Sequence, residues 1–405
     1  MIVVNSHRPV AKRKGTALGD ERTIRIAQSC AQDPREAAAE LYDGLAQPSL
    51  SLVLFFCSAE YDLEQLAAAV RERFRGVPVA GCTTAGEIGP GGCREHSLAG
   101  VSFAPAAGAA AIGYLGDLRG FSLSDGVAFV RGLRSRLEDE APQADAHNTF
   151  AILLVDGMYG HEEQLAHALQ EGLGEIPLVG GSAGDCMAFV STHVYHEGEF
   201  ASGAAVLVLF STPLPFTEFK TQHFEPTDER LVVTEADPGT RVVSEIDGLP
   251  AAEEYARMLG VDPRDLGPVQ FADSPVVVLI DGANYVRSIQ KANPDGSLKF
   301  YCAIERGVVL RVAKGVDLLR NLETALAQVR ARIGPPQVVL TFDCILRKLE
   351  IADAGVEQAV SDVLRANNAV GFNTYGEQFC GVHMNQTLTA IAIGPRAATG
   401  GGSRG

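Results

Sequence analysis

The densest group of chemistry-bearing residues lies near the end of the chain. There Gly371-Phe372-Asn373-Thr374-Tyr375-Gly376-Glu377 is followed by Cys380-Gly381-Val382-His383-Met384-Asn385-Gln386-Thr387. A tyrosine, an acid, a histidine and an amide-rich segment in one short span could hold a polar ligand or an iron-bearing cofactor. Strand alternation would send His383, Asn385 and Thr387 to one face. A neutral imidazole can ligate iron or hydrogen-bond a ligand. The bland reading of His383 is a satisfied structural histidine, and both readings stay open at this point.

Two earlier turns share the plan of Gly371 to Glu377. They are Gly81-Cys82-Thr83-Thr84-Ala85-Gly86-Glu87 and Gly180-Gly181-Ser182-Ala183-Gly184-Asp185. Glycines let backbone N–H groups approach a ligand closely. The acids that end the turns, Glu87, Asp185 and Glu377, could hold an amine, while backbone amides could hold a carboxylate. Candidate ligand-binding residues are therefore Cys82, Thr83, Gly86, Glu87, Gly181, Ser182, Gly184, Asp185, Gly376 and Glu377. The alternative is that these are only tight turns. G-x-G-x-x-G and a Gly-rich loop ending in G-K-[ST] are both absent, and acids at the turns oppose phosphates.

Enzyme chemistry finds fewer candidates. Cys82 beside Thr83 and Thr84, or Cys344 beside Asp343 and Arg347, could carry an activated thiolate. Arg347 would lower the Cys344 pKa, whereas Asp343 and burial would raise it. Gly180-Gly181-Ser182-Ala183-Gly184 resembles a G-x-S-x-G elbow only superficially and is read as one of the repeated turns, and there is no H-E-x-x-H helix. His161 and His167 are too far apart to share an i, i+4 face. His193 and His196 point to opposite sides of a regular strand.

The elements that must position these residues form a repeat. Each copy reads as an apolar strand, an amphipathic helix, a second strand and the Gly-rich turn. The first strands are Leu52-Val53-Leu54-Phe55-Phe56-Cys57, Phe150-Ala151-Ile152-Leu153-Leu154-Val155-Asp156 and Val338-Val339-Leu340-Thr341-Phe342-Asp343-Cys344. The spacing predicts helices from about Asp62 to Phe74, Glu162 to Leu173 and Gly355 to Arg365. The same spacing separates Cys57 from Gly81 and Asp156 from Gly180, which points to one reused supersecondary unit. Strand–helix–strand crossovers give right-handed parallel pairs, and continuous apolar strands imply sheets covered on both faces.

Residues Leu231 to Tyr301 differ, with short strands, Asp-Gly turns and one short helix from Ala251 to Leu259. They read as an antiparallel insert between the second and third units. Pro213, Pro215 and Pro226 mark a connector. The fold class expected is α/β, in two domains, 23–215 and 226–394.

Composition limits the partners. The chain has 405 residues and a formal net charge of -16, which repels nucleic acid and anionic membranes. No apolar run reaches the roughly 18–20 residues of a membrane span, and the start lacks a signal-peptide plan, so a cytoplasmic location is expected. The eight cysteines include no C-x-x-C pair and read as reduced, buried thiols. Arg8, Lys12, Arg13 and Lys14 form a basic amino-terminal cluster. The tail from Gly400 to Gly405 reads as disordered.

Several stretches in one order resemble the FIST family of bacterial sensory proteins. They are Val79 to Glu87, Leu178 to Asp185, Ser244 to Ala251, Phe342 to Arg347, Gly371 to Glu377 and Asn385-Gln386-Thr387. The resemblance spans about Thr23 to Gly394. It implies amino- and carboxy-terminal FIST domains that sense a ligand rather than turn it over. The sequence carries no kinase, cyclase or methyl-accepting segment, and so is similar to the stand-alone NosP subgroup. Those members bind haem, sense nitric oxide and regulate histidine kinases or cyclic-di-GMP enzymes. The expectations are haem on His383, with Tyr375, Cys344 and Asn385 close by and His161, His193 and His223 as other donors. A partner histidine kinase is expected, and a homodimer is compatible with the sequence. Other members of the family are thought to bind amino acids or similar metabolites, which is the alternative ligand class here. A cysteine-dependent enzyme is the alternative of a different kind.

Overall fold

A computed structural model describes residues 23–280 and 282–396; the basic amino-terminal cluster and the glycine tail lie outside the described residues. The chain builds three units of one plan. The first is β1 (Ile24–Ser29), α1 (Pro34–Leu45), β2 (Leu52–Ser58), α2 (Leu63–Arg73), β3 (Val79–Thr84), β4 (Glu87–Gly89), β5 (Gly92–Arg94) and β6 (Leu98–Phe103). The second repeats it as β7 (Ala109–Leu115), α3 (Leu123–Glu140), β8 (Thr149–Val155), α4 (Glu162–Leu173), β9 (Leu178–Ser182), β10 (Val194–His196), β11 (Glu199–Ala201) and β12 (Ala205–Ser211).

The third unit starts with β13 (Phe216–Thr221) and is then interrupted by the insert. The insert comprises β14 (Phe224–Asp237), β15 (Val242–Ile246), β16 (Leu249–Pro250), α5 (Ala251–Leu259), α6 (Pro268–Asp273), β17 (Val276–Ile280), β18 (Ala283–Arg287), β19 (Ile289–Ala292), β20 (Leu298–Phe300) and β21 (Val309–Gly315). The unit resumes with α7 (Leu318–Ile333), β22 (Val338–Cys344), α8 (Ile345–Asp353), α9 (Glu357–Ala366), β23 (Ala369–Thr374), β24 (Glu377–Phe379), β25 (Val382–Met384) and β26 (Leu388–Ile393). Helix α8 is an addition that the other units lack and that the repeat pattern does not predict.

The three strand–helix–strand segments are parallel pairs. Val53 stands against Val79, Ala151 against Leu178 and Val339 against Ala369. The α/β class and an antiparallel insert in the second part agree with the sequence. The insert is longer than Leu231 to Tyr301, because β14 runs back to Phe224 and pairs there with Gly315 of β21.

After each Gly-rich turn, the next hairpin leaves its own unit. β10–β11 extends the first sheet beyond β3, β24–β25 extends the second beyond β9, and β4–β5 extends the third beyond β23. The units are thereby exchanged in a ring. One face of each of the three unit sheets enters a common centre, where Phe56, Phe342, Phe372, Phe103, Phe150 and Phe210 are fully or almost fully buried. The other face is covered by helices, for example α3 and α4 over the second sheet through Val130, Leu133, Leu165 and Leu169. Covered on both sides, β2, β8, β12 and β22 are buried at every position, as their unbroken apolar runs require.

Candidate functional site

The exchange brings the three Gly-rich turns together. Gly184 N–H donates to Thr83 O (3.0 Å) and Cys186 N–H to Thr84 O (3.2 Å). Ser182 N–H donates to Gly376 O (2.8 Å), Tyr375 N–H to Ser182 O (3.2 Å), and Ala85 N–H to Asn373 O (3.0 Å). Glycine is required for the close approaches: a Cβ on Gly184 would stand 2.7 Å from Ala85 N, and one on Gly376 2.2 Å from His383 Cε1.

The terminal acids serve this lock rather than a ligand. Glu377 is fully buried; it accepts from Thr374 Oγ1 (2.6 Å), Thr387 Oγ1 (2.7 Å) and Thr387 N–H (3.2 Å). Glu87 repeats the arrangement with Thr84 Oγ1, Ser97 Oγ (2.7 Å) and Ser97 N–H (3.0 Å). Burial pushes Glu87 up to about 7 and Glu377 up to about 8. Asp185 accepts from the Phe189, Val190 and Ser191 N–H groups (2.8, 2.7 and 2.9 Å) and from the Tyr375 hydroxyl. Burial would raise Asp185, but these donors outweigh it and hold the carboxyl below its usual range. The expectation that these three acids hold an amine is therefore corrected: all three are buried and bonded to donors of the lock itself.

Cys82, Thr83, Gly181 and Ser182 are also part of the frame. Thr83 Oγ1 accepts from His193 N–H (3.0 Å) and Ser182 Oγ from Gln378 Nε2 (3.0 Å). Gly181 pairs with Glu377 across β9 and β24, and Gly86 N–H donates to Thr84 Oγ1 (3.3 Å).

Beside the lock, between the second unit, the third unit and the insert, lies a cavity of about 250 Å³. Gly157, Gly160 and Glu162 line it from the start of α4, Ile345 and Leu346 from the start of α8, and Arg241, Lys299 and Tyr301 from the insert. Tyr375 and Phe189 form an aromatic wall, stacked with centroids 4.5 Å apart and planes at 17°. Helices α1, α2, α3 and α7 begin with a capping Asp33, Asp62, Ser122 and Asp317, whereas the caps of α4 and α8 are His161 and Cys344, with no side-chain cap bond. The starts of α4 and α8, neither with a side-chain cap bond, thus both line one cavity, where a carboxylate would complement them.

The charged groups around it are partly committed. Arg241 donates to Glu162, to Glu163 Oε2 (2.9 Å) and to Tyr301 O (2.8 Å), while its Nε is buried without a partner. Burial works against its charge, yet Glu162 and Glu163 hold the guanidinium above its ordinary value. Lys299 donates to Thr240 O, and burial followed by Arg241 lowers its pKa. Glu162, Arg241, Lys299 and Phe189 were not singled out in the sequence. The missing cap before α4 and α8 was no sufficient signal, because α5 and α9 also begin without an Asp or Ser cap.

The residues expected to hold haem do not fit it. His383 is buried against Gly376, takes a hydrogen bond from Gln378 Nε2 at Nδ1 (3.2 Å), and is not among the residues lining the cavity. Cys344 is fully buried, the Tyr375 hydroxyl is held by Asp185, and Asn385 Nδ2 donates to Tyr375 O (3.4 Å). His223 is bonded to Arg347 and Glu350; His161 and His193 do not line the cavity. A volume of about 250 Å³ holds roughly eight water-sized groups at ~30 Å³ each, far below a porphyrin.

The thiolate expectation is also corrected. Burial pushes Cys82 and Cys344 well above the ordinary thiol value, and Arg347 is spent on Asp343 (2.7 Å) and His223. All eight cysteines are free, but Cys30, Cys93, Cys186 and Cys380 are exposed rather than buried, Cys93 on the outermost strand β5 and the others in connections between elements. Among the described residues no cluster of His, Cys, Asp and Glu could hold a metal ion, and no helix is long and apolar enough to cross a membrane.

A FIST N domain model matches residues 51–249 and a FIST C domain model residues 251–380. An uncharacterized protein of Methanocaldococcus jannaschii, MJ1623, is 25% identical over 295 residues, 64% of this chain and 57% of that protein. Among solved structures, cyanuric acid hydrolase from A. caulinodans aligns over 92% of this chain and 99% of its own, at 10% identity and a TM-score of 0.40. A second cyanuric acid hydrolase structure gives 10% identity and a TM-score of 0.36 over 91% and 99%.

Proposed function

This chain belongs to the FIST family, and from that premise we propose that it is a sensory protein whose input is a small carboxylate-bearing metabolite, of amino-acid size, held between insert and core. The observation that carries this reading is the pair of uncapped helix starts, α4 and α8, facing one cavity together with Lys299 and Arg241. The carboxylate would take the free N–H groups of α8 and the charge of Lys299. The polar end would face Glu162, and the body would lie on the Tyr375–Phe189 wall. Because three walls come from different parts of the chain, a ligand there would draw insert and core together. That change would be passed to a partner such as a histidine kinase or a cyclic-di-GMP enzyme. No step is assigned to haem or nitric oxide.

A thermal-shift screen of amino acids, small carboxylic acids and haemin tests the reading. A ligand at a hundredfold excess over its Kd adds about 2.7 kcal/mol of stability. At least one carboxylate should stabilise the protein, and Lys299→Glu should abolish its shift. If no carboxylate shifts the protein, or if haemin gives a Soret band that His383→Ala removes, the reading fails.

A further inference from the structure

Residues 183–193 join β9 to β10 without forming a helix or a strand. Within this connection every backbone N–H from Met187 to Ser191 ends on one of two residues. Met187 N–H donates to the Tyr375 hydroxyl (3.0 Å) and Ala188 N–H to Asp185 O (3.0 Å). Phe189, Val190 and Ser191 N–H all donate to the Asp185 carboxylate. The Tyr375 hydroxyl donates to that same carboxylate and accepts from Asp185 N–H (3.3 Å). Five consecutive donors thus depend on one acid and one phenol, with no strand ladder to share the task.

The backbone held in this way is strained. Cys186, Met187 and Phe189 have φ of 56°, 70° and 53°, in the left-handed region that disfavours any residue with a Cβ. Three such residues within four positions persist only where their surroundings over-determine them. Apolar side chains are also left in water: Met187, Phe189 and Val190 are 42%, 39% and 79% exposed. Phe189 lines the cavity between insert and core and lies flat on Tyr375 of its wall, whereas Met187 and Val190 do not line it. Both ends of the connection are anchored. Cys186 N–H donates to Thr84 O, Thr192 Oγ1 to Asp156, and His193 N–H to Thr83 Oγ1.

We propose that residues 187–191 are a strap, latched by Asp185 and Tyr375, that folds over the cavity when the cavity is filled. The proposal rests on reading that cavity as the ligand site. A group entering it meets Tyr375 and Phe189 together. Displacing Tyr375 takes its hydroxyl from Asp185 and from Met187 N–H at once, which frees the strained backbone. The released segment lays Met187 and Val190 over the occupant and removes their apolar surface from water. The occupant favours the closed strap by the contacts it makes there and lacks in the open one. Filled and empty protein then differ in one surface segment that a partner can read.

The test uses the whole chain in two arms, neither of which needs a carboxylate. In the first, Asp185→Asn and Tyr375→Phe should each speed amide exchange in segment 187–191 at least tenfold, while exchange in β8 and β22 stays as in the parent. In the second, Leu346→Trp puts the only tryptophan of the chain on the cavity wall, where it fills part of the space. Its fluorescence should be shielded from acrylamide, and adding Met187→Ser/Val190→Ser should raise the quenching at least twofold. The strap is overturned if either latch variant exchanges as the parent does, if exchange speeds equally in β8 and β22, or if quenching ignores Met187→Ser/Val190→Ser. The strap can fail in these arms while the carboxylate screen succeeds, and the reverse.

Discussion

At the scale of residues, the fully buried glutamates carry a signature that can be measured. In the unfolded chain a glutamate releases its proton near ~4.3; folded, Glu87 keeps it up to about 7 and Glu377 up to about 8. Between those limits the folded state binds more protons than the unfolded state. The slope of unfolding free energy against pH is then negative. The stabilisation is complete below the unfolded value and is lost as pH rises through the folded ones. Each group contributes at most about 1.4 kcal/mol per pH unit. Urea midpoints should therefore fall between pH 5 and 8.5, and Glu87→Gln and Glu377→Gln should flatten the fall. Parallel curves for parent and variants would refute the assignment.

At the scale of elements, α8 is tied down at its buried end by a charged chain. Arg347 is completely buried, with Nε on Asp343 Oδ1 (2.7 Å) and NH1 donating to His223 Nδ1 (3.2 Å). His223 in turn donates from Nε2 to Glu350 Oε1 (2.6 Å). His223 stands just before β14, and Val316 N–H, just after β21, donates to its carbonyl (2.7 Å). Both chain connections of the insert are thus fixed to the helix whose first turn lines the cavity. Removing one member of a buried ion pair costs about 3–5 kcal/mol, because the other charge is left uncompensated. Arg347→Met should lower stability by that amount in urea unfolding. A loss under about 1 kcal/mol, small beside a normal buried ion-pair deletion, would show that Arg347 does not anchor α8.

At the scale of the whole molecule, no unit is complete alone, since the sheet of each of the three units ends in a hairpin from another unit. The centre is equally shared: Phe56 lies against both Phe342 and Phe372, at centroid distances of 6.4 and 4.9 Å. Truncating a large buried aromatic costs about 3–5 kcal/mol. Phe342→Ala should therefore lower the stability of the whole α/β ring in one transition, followed by circular dichroism because the chain has no Trp. A separate early transition confined to the third unit would contradict this shared core.

The sequence by itself determined the local elements. Continuous apolar runs at β2, β8 and β22, with capped amphipathic helices after β2 and before β22, leave little choice of conformation. Asp62 as a cap and the Ala251–Leu259 helix were legible because capping and periodicity act over a few residues. The repeat exposed the three turns, but not that Glu87 and Glu377 are consumed by hydroxyls ten positions further on. Nor could it show the exchange of hairpins, because a three-residue strand carries no mark of which edge it will join. The cavity was hidden for the same reason. Glu162, Arg241, Lys299 and Tyr375 are far apart along the chain, and only packing of the insert against two units brings them together. Local steric preference fixes elements, whereas the tertiary structure alone decides which elements share a core and which side chains share a site.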